Sequence, residues 1–139
     1  GRKLKNRFFK KVPAFQKLRE KVFKKAERGY LFGLDGRKVP VRSKHSALNT
    51  LCQSAGAIIC KKWVVEFHKM MDLLGFKEDV DYQQVAFVHD EIQVLVRNGL
   101  EDEVGKTAVK AITKSGALLN LRVPLTGEYN FGANWAETH

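Results

Sequence analysis

Three adjacent side chains, His89, Asp90 and Glu91, carry the densest chemistry in the chain. An imidazole beside two carboxylates suits proton transfer or a hard divalent cation, which takes oxygen ligands. An apolar run, Val85-Ala86-Phe87-Val88, precedes them, and a second, Ile92-Gln93-Val94-Leu95-Val96, follows. Both flanks are short and rich in β-branched or aromatic residues, so each reads as a strand with only a tight turn between them. The turn lifts His89, Asp90 and Glu91 to the tip of a buried hairpin. A carboxylate placed there is costly unless a cation or a donor meets it. The competing reading is a polar tip turned to solvent, and the hairpin alone does not separate the two.

A second polar set repeats at helical spacing. His45, Asn49 and Gln53 fall at i, i+4 and i+8 of the longest helical pattern, residues 44–75, and so line one face. Asn and Gln carry both donors and acceptors, which suits the minor-groove acceptors common to all base pairs. Standing alone, the row favours the plainer reading, a wet helix face. Leu48, Leu51, Cys52, Ala55 and Ile59 form an apolar stripe that Trp63, Phe67, Met70 and Leu74 continue. Ser54, Ala55, Gly56 and Ala57 lack bulk, so a backbone or ligand can come close there. Gly75 ends the helix. Cys52 and Cys60 lie over two turns apart, too far to bridge. They read as small buried apolar side chains in a reducing compartment.

Other elements must hold these two sets in place. Residues 2–10 read as a short basic helix, with Leu4 and Phe8 on one face. Pro13 opens the next helix, Phe15, Leu18, Val22 and Phe23 follow at helical spacing among lysines and arginines, and Gly29 stops it. Residues 30–42 read as a second hairpin, residues 30–34 against 37–42, with Asp35-Gly36 as a two-residue turn. Pro40 marks its second arm as an edge strand. Arg37, Lys38 and Arg42 crowd this hairpin and could carry phosphates; a charged edge that merely prevents aggregation is an equal reading. Residues 76–84 are a polar connection. Residues 100–119 form an amphipathic helix with Val104, Ala108, Ala111, Ile112 and Leu118 inward. Glu101, Asp102 and Glu103 sit at its N-terminus, where the dipole favours acids. Residues 121–125 and 128–131 read as short extended pieces around Gly127.

The chain has 139 residues, enough for one ordinary core, and its 44% hydrophobic content fits a globular chain. Its net charge of +10 is uneven: residues 1–50 hold 16 Lys and Arg against 3 acids, and the rest hold 9 against 12. A basic block joined to a near-neutral core points to a polyanion, with nucleic acid favoured over a merely solvated lysine-rich surface. No apolar run reaches the length of a membrane span and no secretory leader pattern opens the chain, so no membrane partner is expected.

Four stretches now combine. The run Gly33-Leu34-Asp35-Gly36-Arg37-Lys38-Val39, the helix from His45 to Ala57 (HSALNTLCQSAGA), the hairpin Val88-His89-Asp90-Glu91-Ile92-Gln93 and the closing residues from Gly132 to His139 (GANWAETH) resemble one family. Over nearly its whole length the chain resembles the C-terminal part of a family A (Pol I-type) DNA polymerase of the phage replicative branch. The resemblance implies an α+β fold: an antiparallel palm sheet whose central hairpin packs on long helices. Residues 1–29 would come from the fingers and 30–139 from the palm. Asp90 would be one of two aspartates that hold a catalytic magnesium pair, and Glu91 a nearby carboxylate that supports it. Asp90 and Glu91 are thus the expected Mg²⁺ set, and His89 would sit beside the primer's 3′ end. Asn49 and Gln53 would contact the minor-groove side of the primer–template. His45 stands where much of the family has arginine, a departure that the phage branch shares. Arg37 falls on an arginine of the family's basic hairpin, with Lys38 and Arg42 as further DNA contacts. Primer–template DNA and deoxynucleoside triphosphates follow as partners, and the cytoplasm, of a host cell if phage-encoded, as the location.

The resemblance also implies what this stretch lacks. The family's first motif, with the other metal-binding aspartate, and the helix that binds the incoming nucleotide lie upstream of the matched part. One aspartate cannot hold two magnesium ions with good octahedral geometry. The chain is therefore expected to be inactive alone and to work with an N-terminal polymerase half. Self-association is the other way to cover the sheet edge and apolar face that a missing strand leaves. A non-catalytic nucleic-acid-binding remnant is the alternative function. Retention of His89, Asp90 and Glu91 together speaks against it, because a mere binder has no need of acids facing DNA. Nothing specific speaks for a structural or partner-binding protein.

Overall fold

The computed structural model describes residues 2–138, apart from the side chains of Arg2, Lys3, Lys5 and Asn6; His139, which ends the closing motif, lies outside the described residues. The chain forms two compact units that divide between residues 56 and 57.

The first unit begins with helices α1 (Arg2–Lys11) and α2 (Pro13–Ala26). Val12 between them has φ −126° and ψ 69°. The ring of Pro13 disfavours the helical conformation in the residue before it and presets its own φ for a new helix. Gly29 turns the chain at φ +83° after α2. Strands β1 (Tyr30–Phe32) and β2 (Lys38–Pro40) then pair antiparallel, with Leu31 opposite Val39. Leu31 is buried with Val22, Ala26 and Ala47, and Phe23, Val41, Leu48 and Leu51 pack around them.

The connection between β1 and β2 differs from the expected two-residue turn. Gly33 N–H donates to Arg37 O at 2.9 Å, and Gly36 N–H donates to Gly33 O at 3.0 Å. The loop thus holds three residues, Leu34, Asp35 and Gly36. Only Gly36 among them takes a positive φ, +79°. A two-residue type I′ turn needs positive φ at both central positions, whereas a three-residue loop needs one left-handed residue after a type I turn.

Helix α3 (Ala47–Leu73) runs through both units, after a 3-10 turn at Lys44–Ser46. In the second unit it is followed by β3 (Tyr82–Val88), β4 (Glu91–Val96) and α4 (Glu101–Leu118). β3 and β4 pair antiparallel from Tyr82↔Val96 to Val88↔Glu91, with a bulge at Val85. Phe67 and Met71 of α3, Tyr82 of β3, and Val104 and Ala111 of α4 make the core. Ile92, Val94 and Val96 of β4 pack against it, as alternation on one sheet face requires.

An α+β architecture with antiparallel hairpins against helices is therefore observed, in the form of two separate two-stranded sheets among the described residues. Several local expectations differ from it. The second hairpin is not buried: Val85, Phe87, Val88 and Leu95 are exposed, because helices cover one face only. Leu118 is exposed at the end of α4, and Leu74 after α3. Residues 121–131 join no strand. Cys52 is exposed and Cys60 half-buried, both free thiols; the stripe's inner edge runs closer to Ile58, which is buried. Among the described residues no helix is long and apolar enough to cross a membrane.

Candidate active site

The β3–β4 hairpin is anchored at its base and along one side. At the base, Arg97 N–H donates to Asp81 O at 2.9 Å, and the Arg97 guanidinium pairs with Asp81 Oδ1 at 2.8 Å. The other carboxylate oxygen of Asp81 accepts from Lys77 N–H at 2.9 Å. Along the side, His68 of α3 bridges two residues of β3: Nδ1 lies 3.1 Å from the Tyr82 hydroxyl and Nε2 3.0 Å from Gln84 Oε1. An amide oxygen only accepts, so Nε2 is the donor to Gln84, and Nδ1 also lies 3.6 Å from Glu78 Oε2. Burial, then the charges of Glu78 and Asp72, push the Tyr82 hydroxyl up to about 12, so it stays a donor at neutral pH.

Two further contacts tie α3 to α4 behind the hairpin. Trp63 Nε1 donates to Ala108 O at 2.8 Å. Glu66, only 2% exposed, pairs with Lys114 at 3.0 Å, Lys62 at 3.2 Å and Lys69 at 3.6 Å. The hydrogen bond from Lys114 leads in holding the Glu66 carboxyl down to about 2 against the cost of its burial. The sequence shows Lys62 and Lys69 one helical turn to either side of Glu66; Lys114, on another helix, it does not show.

At the tip, Val88 pairs with Glu91, which leaves His89 and Asp90 as the turn. His89 sits at φ +56°, a left-handed conformation that costs a non-glycine residue about 1–2 kcal/mol. Asp90 is exposed. Its side chain makes no hydrogen bond or ion pair among the described residues. Glu91 is half-buried and accepts a hydrogen bond from Gln93 Nε2. Asp90 also acts on α3: after burial, its charge is what raises the Cys60 thiol above its ordinary value. Among the described residues no three His, Cys, Asp or Glu side chains gather closely enough to hold a metal ion. Asp90 and Glu91 thus offer part of a shell, which still fits Mg²⁺, an ion commonly held by one or two carboxylates plus water and substrate phosphates.

The expected DNA contacts all lie in the first unit, and His89, Asp90 and Glu91 in the second. Asn49 and Gln53 are exposed, one turn apart on α3. His45 is not on α3. The Ser43 hydroxyl accepts from Ser46 N–H at 3.3 Å and tightens residues 44–46 into the 3-10 turn. There His45 meets Phe23 edge to face at 6.3 Å. Arg37 is engaged at the first hairpin's tip, its Nε 2.6 Å from Asp35 Oδ2. Lys38 lies over the Tyr30 ring at 5.0 Å, and Arg42 is exposed after β2. Arg28, Tyr30 and Phe32 alternate with a period of two, and Arg28 lies over the rings of the other two.

Residues 1–137 match the model of DNA polymerase family A, and the chain belongs to that family. The DNA-directed DNA polymerase of Escherichia phage T7 is 41% identical over 157 residues, covering all of this chain and 22% of that protein. The DNA-directed DNA polymerase of Enterobacteria phage T3 is 39% identical over 160 residues, again covering all of this chain and 22% of the relative. The chain therefore spans about a fifth of the length of these relatives. The POL domain of Pol1 from M. smegmatis, solved in complex with DNA primer-template and dNTP, shares the fold. It has a TM-score of 0.66 and 19% identity, and the match covers 78% of this chain and 21% of that one.

Proposed function

We propose that these 139 residues supply one side of the nucleotidyl-transfer site of a DNA-directed DNA polymerase and act as part of a longer polymerase. Two observations together support the reading: membership of family A, and an exposed Asp90 with no counter-ion at a hairpin tip. In this reading residues 30–139 are palm and residues 1–29 come from the fingers. Primer–template DNA and deoxynucleoside triphosphates are the substrates, and host cytoplasm the site of action.

Asp90, supported by Glu91, would hold Mg²⁺. When bound, a magnesium pair sharpens an oxygen nucleophile and neutralises charge growing on a triphosphate. The chain's own residues position and confine. The Gln93 amide fixes Glu91 by hydrogen bond, and the Asp81–Arg97 pair holds the hairpin's base. His89 stands beside Asp90 where it can orient the primer's 3′ end. Asn49 and Gln53 offer donors to groove acceptors that every base pair shares, so contact there does not depend on sequence. His45, Arg37, Lys38 and Arg42 would meet phosphates, which position DNA without reading it. The remaining metal ligands and the nucleotide-binding helix would come from the rest of the polymerase.

Primer extension tests this. The isolated chain is expected to add no nucleotides; template-dependent synthesis by it alone would overturn the part-of-a-larger-site reading. Joined to the remaining polymerase it should extend primers, and Asp90→Ala should slow the extension on the order of a thousandfold. Normal extension by Asp90→Ala would remove Asp90 from the chemistry and leave the non-catalytic nucleic-acid binder as the reading.

A further inference from the structure

The outer face of the β1–β2 hairpin carries two aromatic rings, Tyr30 and Phe32, that the phosphate contacts above do not use. Leu31 points into the core at 3% exposure, so Tyr30 and Phe32 point the other way. Their rings meet edge to face, 5.6 Å apart. The Arg28 guanidinium lies 4.7 Å from the Tyr30 ring centre and 5.1 Å from that of Phe32. Its Nε also donates to Tyr30 O at 3.3 Å, which fixes it there. Lys38, opposite Phe32 across the ladder, places its ammonium 5.0 Å from the Tyr30 ring. Phe32 is nonetheless 49% exposed.

Charge decides what this face can accept. Arg28 and Lys38 pair with no acid among the described residues, while the nearby carboxylates are already engaged: Asp35 by Arg37 and Glu27 by Lys44. Two uncompensated cations interleaved with rings resist burial under an apolar protein surface, because each would lose water without gaining a counter-charge. They suit an anion that also presents flat apolar faces. Unpaired bases on a phosphate backbone have both properties. Duplex DNA does not, since its bases already stack on one another.

We propose that Tyr30, Phe32, Arg28 and Lys38 form a stacking platform for unpaired bases of single-stranded DNA. Phe32 takes a base face, and Arg28 and Lys38 take the flanking phosphates. The proposal deepens the reading of this hairpin as a DNA contact and rests on it.

The test uses the 139-residue chain and fluorescence anisotropy with three labelled probes: an oligothymidine, an abasic strand of equal length, and a blunt duplex. The oligothymidine should bind at least about fivefold tighter than the abasic strand, the lower end of one base–aromatic stack. Phe32→Ala should erase that preference and leave abasic binding unchanged. Phe32 lies outside the core, and circular dichroism checks that the variant folds. Lys38→Ala should weaken both strands alike and reduce the salt slope by about 0.7. Equal binding of the two single strands overturns the platform but leaves the phosphate contact standing. A folded Phe32→Ala variant that keeps the preference, or one that weakens duplex binding as much as oligothymidine binding, also overturns it. Failure to bind any probe overturns both the platform and the DNA contact beneath it.

Discussion

The two hairpins share a construction and differ in what they do with an aspartate at the tip. In the first, Asp35 is answered from within the loop. Burial pushes its carboxyl up, but hydrogen bonds from the Arg37 N–H and guanidinium outweigh that and hold it below the ordinary range. In the second, Asp90 has no such partner among the described residues, and the next residue is another acid. The cationic hairpin is therefore neutralised where it turns and charged on its face, and the acidic one is charged at its turn. An acid neutralised by its own loop serves the turn. Asp90 leaves its carboxylate open to a cation from outside the chain.

Substituting both aspartates puts the contrast to its hardest test. In a polymerase containing this chain, Asp90→Ala is expected to slow primer extension on the order of a thousandfold, the scale of losing a principal electrostatic group. Glu91→Ala should slow it about tenfold to a hundredfold, as for a group that supports a metal ligand. Asp35→Ala should leave the rate near wild type. Extension rates measured on the three variants decide it: a loss at Asp35 as deep as at Asp90 would erase the distinction between the tips.

The next effect sharpens the contrast in how the hairpins are supported. Glu66, with its lysines, ties the helices behind the acidic hairpin. Glu66→Gln is expected to cost about 1–3 kcal/mol, below the loss for a fully buried pair because the lysines can turn to water. The carboxyl sits at about 2 in the fold against an ordinary 4.5. The unfolded chain therefore binds the proton first, and this contribution is complete above pH 4.5 and lost as pH falls from there towards 2. Denaturant midpoints across that window should drop more steeply for the wild type than for Glu66→Gln. Parallel curves would show that Glu66 does not carry the acid sensitivity.

Much of this was legible in the sequence for definite reasons. Phe67 and Trp63 were readable because the apolar stripe of α3 keeps its period. His89, Asp90 and Glu91 stood out because two apolar runs stop abruptly around them. The openness of that tip was not legible, since hairpin burial depends on which strands lie alongside, and no local pattern states that. The 3-10 turn at His45 depended on a hydroxyl of Ser43 reaching Ser46, so a uniform helical count does not show that His45 precedes α3. Asp35-Gly36 serves two turn types with one dipeptide; the Gly33–Arg37 hydrogen bond chose between them. Lys114 and Glu66 are far apart in the chain, and only packing brings them together.

The smallest effect separates the tips by backbone alone. Gly36 at φ +79° has nothing within 4 Å of where a Cβ would stand. Gly36→Ala should therefore cost only the left-handed conformation, about 1 kcal/mol. At the other tip the exchange runs backwards. His89 already bears that cost at φ +56°, so His89→Gly should leave stability unchanged or raise it by up to about 1 kcal/mol, offset by the greater freedom of glycine in the unfolded chain. Urea denaturation of the two variants reads both signs. If His89→Gly destabilises as much as Gly36→Ala, the imidazole is holding the turn, and its place there has a structural cause. If the variant is as stable as the wild type and loses primer extension, His89 occupies a conformation that a glycine would suit better, and its side chain is there for the chemistry beside Asp90.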